Sequence, residues 1–405
     1  MADFISVFIF LAFFYLVLVR RVVDVYMFAA CGIFFYYGGM LLLGYTLDIN
    51  EAGRLVLNSK QEVSRQLIMY IFGTLFLLCY FSFIDYFFKG GSVSRSLIKP
   101  LLHNYVMFGV AMVLIFIIMA IVIYKIEGNI FMSKIGINAA AGAYVTIFVY
   151  LYAVAIFSYV VVRCEISHKK RFAIDLGVFI LTIFGLFVLD HKMGMLVPLL
   201  SLLIGRVLHK RLNMKDMLRV GFVSFLVSIL VLFKYLSSAD LNLYGVLAEL
   251  EGYFTASLGN FLISSNHYNG ASYLLFSPFF ALPVLRSLSG YSSSYFNETF
   301  QPMYFKDADF GMAYNFYAEL ESTGIGALVL FVFCFLFFIG NILSKKTTGF
   351  LRFSSIYLMF YCVFFLHRQS IFVLITILSN YMAICLFVFL VSWFFAKFVR
   401  VGGDK

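Results

Sequence analysis

The chain has 405 residues, 63% of them hydrophobic and only 12% charged, with a formal net charge of +10. So few polar residues cannot cover a soluble domain, and the basic surplus lies in one set of loops rather than in a nucleic-acid-binding patch. Six cysteines are scattered without a CxxC or Cys/His cluster, so neither a disulfide framework nor a metal site is expected.

In chain order, apolar windows predict membrane spans at 4–19, 22–45, 66–88, 103–124, 139–162, 174–189, 193–208, 219–236, 324–343, 351–366 and 371–396. All exceed a barrel strand in length, so the expected fold class is all-α, a polytopic membrane helix bundle of about eleven spans. The first run has no basic n-region and no small-residue cleavage site, and reads as a span rather than a removable signal. The expected division is a helical bundle over 1–236, a large loop over 237–323, and closing spans with a basic tail over 324–405.

The connecting loops alternate in basic content. One set holds Arg20 and Arg21; Lys89, Arg95 and Lys99; Arg163, Lys169, Lys170 and Arg171; Arg206, Lys210, Arg211, Lys215 and Arg219; Lys345, Lys346 and Arg352; and Lys397, Arg400 and Lys405. Basic loops stay in the cytoplasm, which predicts the N-terminus outside and the C-terminus inside.

The loop over 237–323 falls on the outer side and is acidic, with Glu298, Asp307, Glu319 and Glu321 among its carboxylates against only Arg286 and Lys306. Within it, SYLLFSPFFALPVLRSL is apolar but broken by Pro278 and Pro283, so a re-entrant or interfacial segment is expected near 273–289. Its many tyrosines and phenylalanines suit headgroup depth or stacking on sugar rings. The stretch SSNHYNGASY adds His267.

Outer cations are few, and two sit in very short turns. One turn carries His367 and Arg368; the other carries Asp190, His191 and Lys192. A cation there either snorkels to the interface or points inward to meet a phosphate, bidentately for Arg and as a point charge for Lys. Where the acidic loop re-enters the apolar region, Tyr314, Asn315 and Glu319 precede Gly324 and Gly326, and Asn315 and Glu319 share a helical face.

GMAYNFYAELESTGIGALVL resembles the re-entry segment of bacterial O-antigen polymerases and ligases. LDHKMGMLVPLLSLLIGRVLHKR resembles that family's short outer turn, with Lys192 where the family often carries Arg, and LHRQSIFVLI resembles the late turn of the oligosaccharide repeat-unit polymerases. The layout of many spans and one large late periplasmic loop is similar over the whole chain, an architecture like that of C-type glycosyltransferases. The resemblance implies a polymerase in the bacterial inner membrane that joins undecaprenyl-diphosphate-linked oligosaccharides into O-antigen or a related polysaccharide. It implies metal-independent, inverting glycosyl transfer without a cofactor, alongside a chain-length regulator and a flippase as partners.

On that reading Arg368 and Lys192 stabilise the departing diphosphate, with Arg286 a further candidate, and Glu319 is the preferred base ahead of His267 and His191. Asn315, Tyr314 and His367 are expected to contact substrate. An O-antigen ligase, which delivers glycan to lipid A core, and a lipid-linked oligosaccharide flippase are the alternatives.

Overall fold

A computed structural model describes residues 2–87, 102–127, 134–163, 166–189, 192–213, 215, 218, 251–265, 301–308, 315–347, 349–367 and 371–403. The described chain is mostly helical. Seven helices are long and apolar enough to cross a membrane: Val25–Leu43, Arg65–Phe87, Asn104–Lys125, Ala140–Val162, Lys170–Val188, Gly326–Lys346 and Leu374–Lys397. Shorter apolar helices run over Val7–Val19, Gly194–Gly205 and Gly349–Val363. Each coincides with an expected span; the expected spans at 219–236 and the re-entrant segment at 273–289 lie outside the described residues. Large apolar side chains such as Phe35, Phe76, Phe83 and Trp393 are exposed, as a hydrocarbon environment allows.

The chain forms two compact units interleaved along the sequence. The first comprises Met1–Lys89, Leu208–Ile342 and Tyr361–Thr376; the second comprises Gly90–Val207, Leu343–Phe360 and Ile377–Lys405. The sequential division expected above describes chain order rather than compactness.

In the first unit, α1 (Ala2–Phe14) continues through a π turn at Tyr15–Val19. Asp24 then caps α2 (Val25–Leu43), accepting from the Met27 amide at 3.1 Å. Gly44, at φ 75°, ends α2 in the left-handed conformation that favours glycine, and its amide donates to Met40 O at 2.9 Å.

An antiparallel hairpin follows, β1 (Tyr45–Ile49) with β2 (Leu55–Glu62), shifted in register between Leu47 and Asp48. It is an addition to the expected all-α fold. The alternation in LVLNSKQE suits a strand with one covered face. The helix α8 (Glu251–Ser264), which falls inside the large loop, packs against β1.

Asn260, fully buried on α8, holds the hairpin. Its Nδ2 donates to Thr46 Oγ1 at 3.0 Å, Gln61 Oε1 at 3.2 Å and Glu62 O at 2.9 Å, while its Oδ1 accepts from Ser64 N at 2.6 Å. Tyr253 OH adds a bond to Tyr45 O at 2.7 Å. At Gly252 any side chain would run into the Phe35 carbonyl of α2, so glycine lets the two helix backbones meet. The helix α3 (Arg65–Phe87) completes this part of the unit.

In the second unit, α4 (Leu102–Lys125) packs along α5 (Lys134–Val162), which also meets α7 (Lys192–Val207). The helix α6 (His168–Ile183) ends in a π turn at Phe184–Val188. Asp175 on α6 takes both Arg163 Nη2 at 2.8 Å and Tyr159 OH at 2.7 Å. A short α9 (Gln301–Tyr304) and α10 (Phe316–Ser322) lie in the first unit. Three helices close the chain: α11 (Gly326–Lys346), α12 (Gly349–Phe365) and α13 (Ile371–Gly403).

Candidate functional site

The re-entry segment is built around Asn315. Its backbone is extended, and its Oδ1 accepts from Tyr317 N at 3.0 Å and Ala318 N at 3.2 Å, which starts α10. The amide Nδ2 donates to Tyr37 OH and to Thr255 O, both at 3.0 Å. Those four bonds use the full hydrogen-bonding capacity of the side chain, which is completely buried. Asn315 therefore positions α10 rather than presenting itself to a substrate. The cue was in the sequence, since Asn immediately before an apolar helical run is a helix-start signal.

One turn later sits Glu319, its amide donating to Asn315 O at 3.1 Å and its side chain on the same face, as the spacing requires. The residue is only 1% exposed. Its Oε2 accepts from the backbone amide of Ile371, the first residue of α13, at 2.6 Å. Burial pushes the carboxyl up to about 8, an effect the Ile371 N–H partly offsets.

His367 lies in the same layer, 2% exposed. Three tyrosine rings surround it, with centroids at 5.3 Å for Tyr36, 5.4 Å for Tyr37 and 5.9 Å for Tyr317. Burial pushes its imidazole down to about 3, so the ring is neutral and belongs to the packing of this layer.

Two further contacts fix the layer from α3. Tyr317 OH meets Thr74 Oγ1 at 3.1 Å, and Tyr70 OH donates to Glu321 Oε2 at 2.7 Å. The two glycines of the motif have distinct tasks. Gly324 adopts φ 68°, turning the chain between α10 and α11, whereas a side chain at Gly326 would come within 2.6 Å of Leu320 O.

The structure thus brings two of the three sequence motifs together, the re-entry segment and the late turn. Arg368, His191, Arg286, His267 and Tyr314 lie outside the described residues. Lys192 opens α7 in the second unit, and its side chain also lies outside them. Sequence reading missed Tyr37, Thr74 and Thr255, whose roles come from contacts remote in sequence.

Asp85 is buried at the opposite end of α3 and accepts from Asn341 Nδ2 at 3.0 Å. Comparison with protein-family models, with curated proteins and with solved structures finds no match for this chain.

Proposed function

We propose that this protein polymerises polyprenyl-diphosphate-linked oligosaccharide repeat units at the outer face of a bacterial inner membrane. The carrying observation is the 2.6 Å bond from Ile371 N to Glu319 Oε2. It joins two of the three segments that resemble the O-antigen polymerases, although the bonded residues are 52 positions apart. The bond ties the re-entry helix to Ile371, which follows Arg368 by three positions in the sequence.

In the reaction, an acceptor hydroxyl attacks the anomeric carbon of the lipid-linked glycan. The bond from that carbon to the diphosphate breaks with its electron pair, and the hydroxyl proton passes to a base. Charge grows on the departing diphosphate, where Arg368 and Lys192 act in this reading, with Arg286 in support. Glu319, spent on a backbone amide and shut away from solvent, holds the turn; His267 and His191 are the remaining candidates for the base. Tyrosines of the large loop stack on the sugar faces.

The test is complementation of a bacterium that lacks its own O-antigen polymerase but keeps its flippase and ligase. The expected result is restored long glycan chains. Persistence of single ligated repeat units alone would overturn the polymerase reading. Rescue of a ligase-deficient strain instead would assign transfer to lipid A core.

A further inference from the structure

At the end of the helices away from the candidate site, two basic segments pair with each other. Val22 forms an antiparallel bridge with Arg211. Val23 N donates to Lys210 O at 3.1 Å, His209 N to Val23 O at 2.7 Å, and Leu212 N to Arg21 O at 2.8 Å. The pairing gathers Arg20, Arg21, His209, Lys210 and Arg211 where α1 ends and α2 begins. Both segments belong to the loop set that the charge alternation assigns to one side.

Two features set this junction apart from an ordinary basic loop. Arg21 at φ 54° and His209 at φ 65° both adopt the left-handed conformation that side chains rarely take. Such strain persists only where the surroundings impose it, and it clusters at functional sites. The second feature is unmet hydrogen-bonding capacity. Arg20 Nη2 pairs with Asp24, which sits at the base of the junction. Arg20 Nη1 and Arg21 Nε are buried yet have no hydrogen-bond partner among the described residues.

Lys210 and Arg211 are exposed beside them, and neither they nor Arg21 form an ion pair among the described residues. Asp24 and, through its field, Asp85 act on Arg20. A buried guanidinium N–H left without an acceptor is costly, and this junction holds two, on Arg20 and Arg21, beside the exposed charges of Lys210 and Arg211.

We propose that this junction is a phosphate-binding site, filled by the phosphate of an anionic phospholipid headgroup. A phosphate supplies several acceptor oxygens and negative charge, and the guanidinium fork matches its geometry. The lipid source follows from depth. The segment 20–24 joins two apolar helices, so it lies where their hydrocarbon-facing surfaces end, at headgroup level. Anionic headgroups are concentrated at the surfaces to which basic juxtamembrane segments are drawn.

The experiment is thermal unfolding of the full-length chain in mild detergent, with phosphatidylglycerol, phosphatidylcholine or inorganic phosphate added. A ligand that binds only the folded state raises Tm in a saturable way. Phosphatidylglycerol is expected to do so, and phosphatidylcholine and inorganic phosphate are not. Lys210→Gln/Arg211→Gln, which alters exposed side chains only, is expected to abolish the rise, as is Arg21→Gln. Lys170→Gln/Lys346→Gln removes the same charge elsewhere and is expected to retain it.

Equal loss in that control pair, or no rise in the unaltered chain, would overturn the site. Equal stabilisation by inorganic phosphate would overturn the lipid as its source. Should Arg21→Gln fail to fold, the exposed pair decides.

Discussion

The carboxyl of Glu319 receives the amide hydrogen of Ile371 across 2.6 Å, so a side chain of the re-entry helix caps the first turn of α13. What the Ile371 amide needs is an oxygen acceptor, not a charge. Glu319→Gln keeps such an acceptor and is expected to change stability by less than about 1 kcal/mol, whereas Glu319→Leu leaves a buried N–H unmet at roughly 1–3 kcal/mol. Thermal unfolding in detergent measures both. Glycan chain length should follow the same order, near normal for Gln and shortened for Leu. Loss of extension in a stable Glu319→Gln protein would return the residue to the role of base.

The same carboxyl predicts how stability responds to pH. Its folded pKa, about 8, stands above the ordinary 4.5, so the folded state binds the proton more tightly than the unfolded state. That contribution is complete below about 4.5 and is lost as pH rises through about 8, at up to about 1.4 kcal/mol per pH unit. His367 works in the opposite sense. Its folded value near 3 lies below the ordinary 6.5, so its contribution is present above 6.5 and falls away as pH drops toward 3. Between pH 6.5 and 8 only Glu319 of these two titrates differently in the two states. Unfolding midpoints across that window should decline for the unaltered chain and flatten in Glu319→Gln.

Ten apolar windows were legible because a bilayer demands a minimum length of apolar chain, and that demand is written locally. The shared face of Asn315 and Glu319 was legible for the same reason, helical periodicity. The hairpin was not, since LVLNSKQE lies between two spans and the Asn260 bonds that hold it come from α8, far away in sequence. Nor was the fate of Glu319, because the amide that engages it comes from the far side of α11 and α12 in sequence. Arg20 and Arg21 were read as loop charges, yet their pairing with 209–212 is a long-range contact that no local pattern encodes.

Gly259 offers a packing test of the same layer. A side chain there would press on Asn315, within 2.7 Å of its Oδ1, and Asn315 has no spare room because all its bonds are in use. Gly259→Ala should therefore cost roughly 1–3 kcal/mol despite the better helix propensity of alanine. Alanine at Gly109, where nothing lies within 4 Å of the added carbon, should be neutral or slightly stabilising. Equal unfolding midpoints for the two variants would show that α8 yields at this contact.

The pair Arg20–Asp24 calls for a double-mutant cycle. Asp24 is fully buried, so removing its partner strands a carboxylate in a poorly solvated place. Arg20→Met is expected to cost about 3–5 kcal/mol. Adding Asp24→Asn, which retains the acceptor for Met27 N, should recover most of that loss. Additive costs would mean that the two side chains do not depend on each other.

Arg368 carries the sharpest prediction about activity. If the late turn brings a cation to a departing diphosphate, the guanidinium acts in the transition state and its removal lowers turnover more than substrate affinity. Arg368→Ala should cut chain extension by about 10²–10³, with protein levels unchanged. Arg368→Lys keeps the charge without the fork and should fall between the two. Arg400→Ala, in the basic tail, removes a cation from the opposite side in the expected topology and should leave chain length untouched. Gel profiles of surface glycan, normalised to protein in the membrane fraction, separate these outcomes. Full-length chains from Arg368→Ala would detach the late turn from the chemistry and leave its bond to the re-entry helix a purely architectural one.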